Sequence, residues 1–194
     1  MRPLTKADLL SYEDYERNRE ALRKRIIALK ERRRVSVGDK ITLIFENRET
    51  IQFQIQEMIR AERIVDPHKV EGELEVYNAL LPGEGELSAT LFIEITESTQ
   101  IERDLDAFQG IDRGQTVALH AGPSAVYGHF EGGHSKEDRI SAVHFVKFCP
   151  SSEWIRELAQ DGASVSIRLD HPAYRKEDEV PEAMRQEWLA DLRS

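Results

Sequence analysis

Hydrophobic positions along the chain change period several times, and each change marks an element. Thr5 followed by Asp8 is a helix-start signature, and Tyr12, Tyr15, Leu22, Ile26 and Leu29 then recur at helical spacing to about Arg34. One long first helix is therefore predicted over residues 5–34, with Glu13/Arg17 and Glu20/Lys24 as supporting i,i+4 pairs on its charged side. RVSVGDKITLIFEN switches to period two and places Gly38-Asp39 at a hairpin turn. The stretch from Thr50 to Gln56 is ambiguous: Ile51, Phe53 and Ile55 alternate with glutamines as in a strand. Yet Ile51, Ile55, Met58 and Ile59 form a helical stripe behind Asn47, a good N-cap, and this favours a helix from Arg48 to about Arg63.

Asp66-Pro67 opens a further helix carrying Val70, Leu74, Tyr77 and Leu81 on one face. LSATLFIEI alternates as a one-sided strand, and Thr99 with Glu102 caps a helix that Gly110 ends. TVALHA, SAVYGHFE and RISAVHFVKF read as three strands of an antiparallel meander; both faces of the third are apolar, which places it centrally. A short helix over 152–161, a last strand SVSIRLD and a helix opened by Pro181 complete the chain. Without regular βαβ alternation the fold class is α+β: one domain over 1–194, with an N-terminal helical extension at 5–34 and a C-terminal helix at 181–194.

Composition narrows the function classes. The chain is 40% apolar and 32% charged, and no apolar run approaches the roughly 20 residues that span a bilayer. MRPLTKADLLSYEDYE turns acidic before a secretory core can form, so a cytoplasmic location is expected. A net charge of −9 argues against general nucleic-acid binding. The basic run KERRR is expected to mark a helix C-terminus. Cys149, the single cysteine, excludes an intramolecular disulfide and is expected to be a buried, inert thiol. Neither dinucleotide nor P-loop glycine motifs occur, no nucleophile elbow is present, and the duplicated Glu-x-x-His of di-iron bundles is missing. His129, Glu131 and His134 bring three metal-ligand types together, but the spacing fits no closed zinc pattern.

MRPLTKADLLSYEDYE, FENRETIQFQIQEMIRAERI, YNALLPGEGELSATLFIEI, GID, EDRISAVHFVKF and LDHPAY occur in order, and together they resemble an uncharacterised bacterial domain-of-unknown-function family across essentially the whole chain. The resemblance implies genes encoded beside rubrerythrin-like di-iron proteins and iron–sulfur proteins similar to a heterodisulfide reductase subunit. It thus implies service to a redox or peroxide-handling system, with no cofactor in this chain and iron or an iron–sulfur cluster in the partner. Residues of these blocks able to do chemistry are Glu46, Arg48, Gln54, Gln56, Glu57, Arg60 and Glu62, then Asp138 and Arg139, then Asp170, His171 and Tyr174.

The leading expectation is a non-catalytic accessory protein that binds a redox partner through its helices and acidic surface, with self-association through the first helix as a further expectation. Its rivals are an enzyme or sensor whose pocket joins Glu57 and Arg60 to Asp170, His171 and Tyr174, and a metal-binding protein using His129, Glu131 and His134.

Overall fold

The computed structural model describes residues 1–95, 101–132 and 140–193. The long N-terminal helix divides in two. Thr5 and Asp8 do form a capping box, but over a 3-10 turn at Lys6–Asp8; the α-helix α1 (Tyr12–Arg32) starts afresh, with Ser11 accepting from the Asp14 N–H. Leu9 is extended, and the Leu10 N–H donates to Gln56 Oε1 at 2.6 Å. This tertiary bond outweighs the local helical pattern. Tyr15, Ile26 and Leu29 are buried as the period requires, whereas Tyr12 is 43% exposed.

The hairpin β1 (Arg34–Val37) and β2 (Ile41–Glu46) turns at Gly38, whose φ of +64° suits glycine. The ambiguous stretch is helix α2 (Arg48–Ala61): Asn47 Oδ1 accepts from the Thr50 N–H at 3.0 Å, and Thr50 Oγ1 accepts from the Asn47 N–H at 2.9 Å. Then follow α3 (Pro67–Asn78), β3 (Leu87–Ile93), α4 (Ile101–Asp106), β4 (Val117–Ala121), β5 (Ser124–Phe130), β6 (Val143–Phe148), α5 (Ser152–Leu158), β7 (Val165–His171), β8 (Tyr174–Glu179) and α6 (Glu182–Asp191). The expected cap Thr99 lies outside the described residues. SVSIRLD is not the last strand, because YRKEDE pairs with it as β8.

Eight strands form one antiparallel sheet in the order β1-β2-β3-β6-β5-β4-β7-β8, with β6 central as its two apolar faces imply. The sheet curls until its edges meet through side chains. The Gly38 N–H donates to Asp178 Oδ2 at 2.6 Å, and the Tyr174 hydroxyl accepts from the N–H groups of Asp39 and Lys40 and donates to the Val37 carbonyl. A side chain at position 38 would collide with that hydroxyl.

The concave face holds the main core, into which α5 and α6 place Trp154 and Trp188, both fully buried. Across the sheet, Ile51, Ile55 and Ile59 of α2 pack with Leu74 of α3 and with Leu80 and Leu81. These elements also cover the polar face of β3, so Ser88 and Thr90 are buried and the strand is not one-sided. Ser88 Oγ donates to the Leu80 carbonyl at 2.8 Å.

Arg33 joins the layers. It sits at the end of the KERRR run, which does terminate α1, yet its side chain is fully buried. Its guanidinium donates to the carbonyls of Phe45 (2.7 Å) and Glu46 (3.2 Å), to Glu187 Oε2 (2.9 Å) and to the Asp191 carboxylate. Burial pushes the Asp191 carboxyl up and Arg33 pulls it down, with burial the larger. Removing the cation would take a buried guanidinium away from that acid. Arg33→Met should therefore cost about 3–5 kcal/mol, and adding Asp191→Leu should restore much of it, because a buried pair is worth little against an apolar replacement. Urea unfolding followed by tryptophan fluorescence measures both; equal losses in the single and double variants would show that Asp191 is not the penalised group.

Candidate functional site

The polar residues of α2 are largely engaged within the chain. The N-terminal segment lies along the helix as a strap: Arg48 pairs with Asp8 at 2.7 Å, the Gln52 amide donates to the Asp8 carbonyl, and Gln56 receives the Leu10 N–H. At its far end Leu4 exchanges two hydrogen bonds with the Asn78 side chain, at 2.8 and 2.9 Å. Arg48 and Gln56 are thus staples between the strap and α2.

Glu57 joins α1 to α2. Arg19 Nε and Nη2 donate to its two oxygens at 2.7 and 2.8 Å, the Tyr15 hydroxyl donates at 2.7 Å, and Arg60 lies at 3.5 Å. Arg60 is shared with Glu16 at 3.6 Å. The Arg19 fork is the main reason the Glu57 carboxyl falls to about 2; partial burial opposes it, and Tyr15 and Arg60 reinforce it. Burial, followed by Glu57 itself, pushes the Tyr15 hydroxyl above its usual range. A depressed acid of this kind is a structural clamp.

Glu46 is buried under α2, where one oxygen accepts from the Gln54 amide at 3.1 Å and from the Thr90 hydroxyl at 2.8 Å. Its other oxygen has no hydrogen-bond partner among the described residues.

Asp170 and His171 end β7 and pair with Arg175 and Tyr174 across the β7–β8 hairpin. Both ring nitrogens of His171 are engaged: Nε2 donates to the Gln109 carbonyl at 3.1 Å, and Nδ1 accepts the Ala173 N–H at 3.3 Å. The ring stacks on Phe108 with centroids 6.0 Å apart. Tyr174 closes the sheet edge. Asp170 faces outward, held by Arg175 at 3.0 Å and Arg168 at 3.5 Å. The hollow lined by Glu57 and the hollow lined by Asp170 share no residue, so the pocket that would have combined Glu57 and Arg60 with Asp170, His171 and Tyr174 is not assembled between them.

His134, Asp138 and Arg139 lie outside the described residues. His129 is the register partner of Lys147, whose ammonium is 3.4 Å from Glu131 and disfavours a cation there. Cys149 is exposed rather than buried and is 3.4 Å from Glu86 Oε1; partial desolvation, then that carboxylate, pushes its thiol up and keeps it protonated.

What the helices leave open is a groove. Met58, Val76, Tyr77, Leu80 and Phe145 line a trough of about 550 Å³ bordered by Glu62, Glu73 and Glu131. Met58 and Tyr77 continue it into a second hollow of about 340 Å³ along α2, with Phe53, Gln54, Glu57 and Ala61. Val76, 64% exposed, is its most prominent apolar residue. Of the residues singled out in the sequence, Gln54, Glu57, Glu62 and Glu131 reach this groove. Tyr77 and Phe145 were legible only as core positions of their elements.

Fold and groove define an α+β protein built on one curled antiparallel sheet, with a groove on its helical face. The chain belongs to the family described as Protein of unknown function (DUF3501), whose profile matches residues 3–192. It is also similar to a crystal structure of a protein of unknown function from Burkholderia pseudomallei K96243, with 33% identity, 98% of this chain and 100% of that chain covered, and a TM-score of 0.90. No curated protein matches the chain. No helix among the described residues is long and apolar enough to cross a membrane.

The Glu57 clamp makes a signed pH prediction. Its folded value of about 2 lies below the ordinary value of 4.5, so its contribution is complete above pH 4.5 and is lost as pH falls towards 2. Glu57→Gln should remove part of the acid destabilisation in that window. Thermal midpoints of the two proteins across pH 2 to 6 check this; parallel curves would refute it.

Proposed function

We propose that this protein is a non-catalytic accessory protein that docks a partner of a bacterial redox or peroxide-handling system in the open groove between α2, α3 and β6. The observation that carries the reading is the groove itself, an apolar floor with Met58, Val76 and Tyr77 inside a rim of glutamates. An apolar centre in a charged rim suits a segment with apolar anchors and basic flanks. The chain's net charge of −9 favours encounter with such a segment. The internal engagement of Arg48, Gln56, Glu57, Arg60, His171 and Tyr174 favours binding over catalysis, because each has a structural task. We place docking on this groove rather than on α1, whose Tyr15, Ile26 and Leu29 pack on the protein's own domain. The redox assignment rests on the gene neighbourhood that the family resemblance implies, with rubrerythrin-like and iron–sulfur proteins, and in this reading any iron belongs to the partner and the pair works in the cytoplasm.

Val76→Asp should change stability by no more than about 0.5 kcal/mol, since the side chain is exposed. It should also weaken capture of a di-iron or iron–sulfur protein from anaerobic host extract about tenfold, as loss of an interface anchor does. Capture of such a protein undiminished by Val76→Asp would overturn the docking site, and a retained partner without iron would overturn the redox assignment.

A further inference from the structure

The convex face of the sheet's other half carries a second, unrelated hollow. Its floor is Ala118 on β4, which register places opposite Tyr127 of β5 on one side and Arg168 of β7 on the other. His120, two residues along β4, lies on the same face, and Gln115 and Thr116 close the opposite end, where the Asp170 N–H donates to the Thr116 carbonyl at 2.8 Å. A small residue ringed by larger ones leaves a depression of about 220 Å³. At roughly 30 Å³ per water, that admits a solute of only a few heavy atoms.

The chemistry of the ring is specific. Asp170 is fixed by two arginines, Arg175 on Oδ1 and Arg168 on Oδ2, and of these Arg168 lines the hollow. The His120 ring, the Tyr127 hydroxyl and the Gln115 amide make no hydrogen bond among the described residues, and all three line the hollow. Glu177, the cross-strand partner of Arg168, is turned to Ser166 Oγ at 2.6 Å. Donors therefore converge on a space whose own acceptor, Asp170, already has its charge matched.

We infer that this hollow binds a small carboxylate. The Arg168 guanidinium, His120 and the Tyr127 hydroxyl bind the carboxylate, and Asp170 accepts from a hydroxyl on the same solute. The partner-docking groove shares no residue with it, so either assignment can fail alone.

The test is a titration of the isotopically labelled full chain with L-lactate, followed by amide NMR, with inorganic phosphate in parallel. Lactate should shift the amides of Ala118, His120, Tyr127 and Arg168. Arg168→Gln should weaken the response about tenfold, the usual effect of losing one charged hydrogen bond. Ala118→Leu should abolish it by filling the floor while the remaining spectrum stays folded. Shifts scattered over the surface, or a localised response that survives in both variants, would overturn the site. A response to phosphate but not to lactate would overturn the carboxylate assignment.

Discussion

A single buried cation determines how the layers of this protein meet. Arg33 leaves the end of α1, passes under β2, where it bonds two backbone carbonyls, and ends against two carboxylates one turn apart on α6. A guanidinium can do this because its planar fork offers five donors, and its bonds here are divided between β2 and α6. Trp188, on the same helix, then packs against Phe45 with ring centroids 4.6 Å apart. Moving Arg33 would remove the polar anchor that α6 makes to β2, leaving Met184, Trp188, Leu189 and Arg185 to hold that helix.

The second clamp, Glu57, sets the opposite layer. Together with the N-terminal strap it fixes α2 between α1 and α3, and so determines which side chains remain outside. Met58 follows Glu57 directly and is turned to the groove, as Gln54 is one turn earlier. The groove is thus a consequence of the clamp: the charges inside α2's network are neutralised, while Met58 and Val76 line its floor. The convex hollow at Ala118 belongs to the half of the sheet that α2 and α3 do not cover. The protein therefore presents two chemically different surfaces on one scaffold.

Much of the fold was legible in the sequence because single local signals governed it. Asn47 settled α2 against its strand-like alternation, Asp66-Pro67 opened α3, and the two apolar faces of RISAVHFVKF placed β6 in the middle. β8 escaped because YRKEDE is an exposed edge strand with one buried residue, Tyr174, and a polar run carries no alternation. The strap escaped because a hydrogen bond to Gln56, 46 residues away, overrides a helical period. For the same reason the sequence did not separate the α2 residues that hold the strap from those, such as Gln54, that reach the groove. Polar side chains on a helix look like a binding surface until Asp8 is seen to engage Arg48 and Gln52, Leu10 to engage Gln56, and Tyr15 and Arg19 to engage Glu57. Arg33 looked like one cation in a solvated run, since its acidic partners lie 154 and 158 residues further on.

We propose that internal clamping of α1 and α2 leaves the α2–α3–β6 groove as the face that meets a partner. Cross-linking of the captured complex with a lysine-reactive reagent, read by mass spectrometry, tests it most directly, because Lys30 borders the hollow along α2 and Lys147 pairs with Glu131 on the groove's rim. Partner cross-links at Lys30 and Lys147, with few at Lys176 on the edge strand β8, are the predicted result. Cross-links concentrated at Lys176, with Lys30 and Lys147 unmodified by the partner, would contradict it.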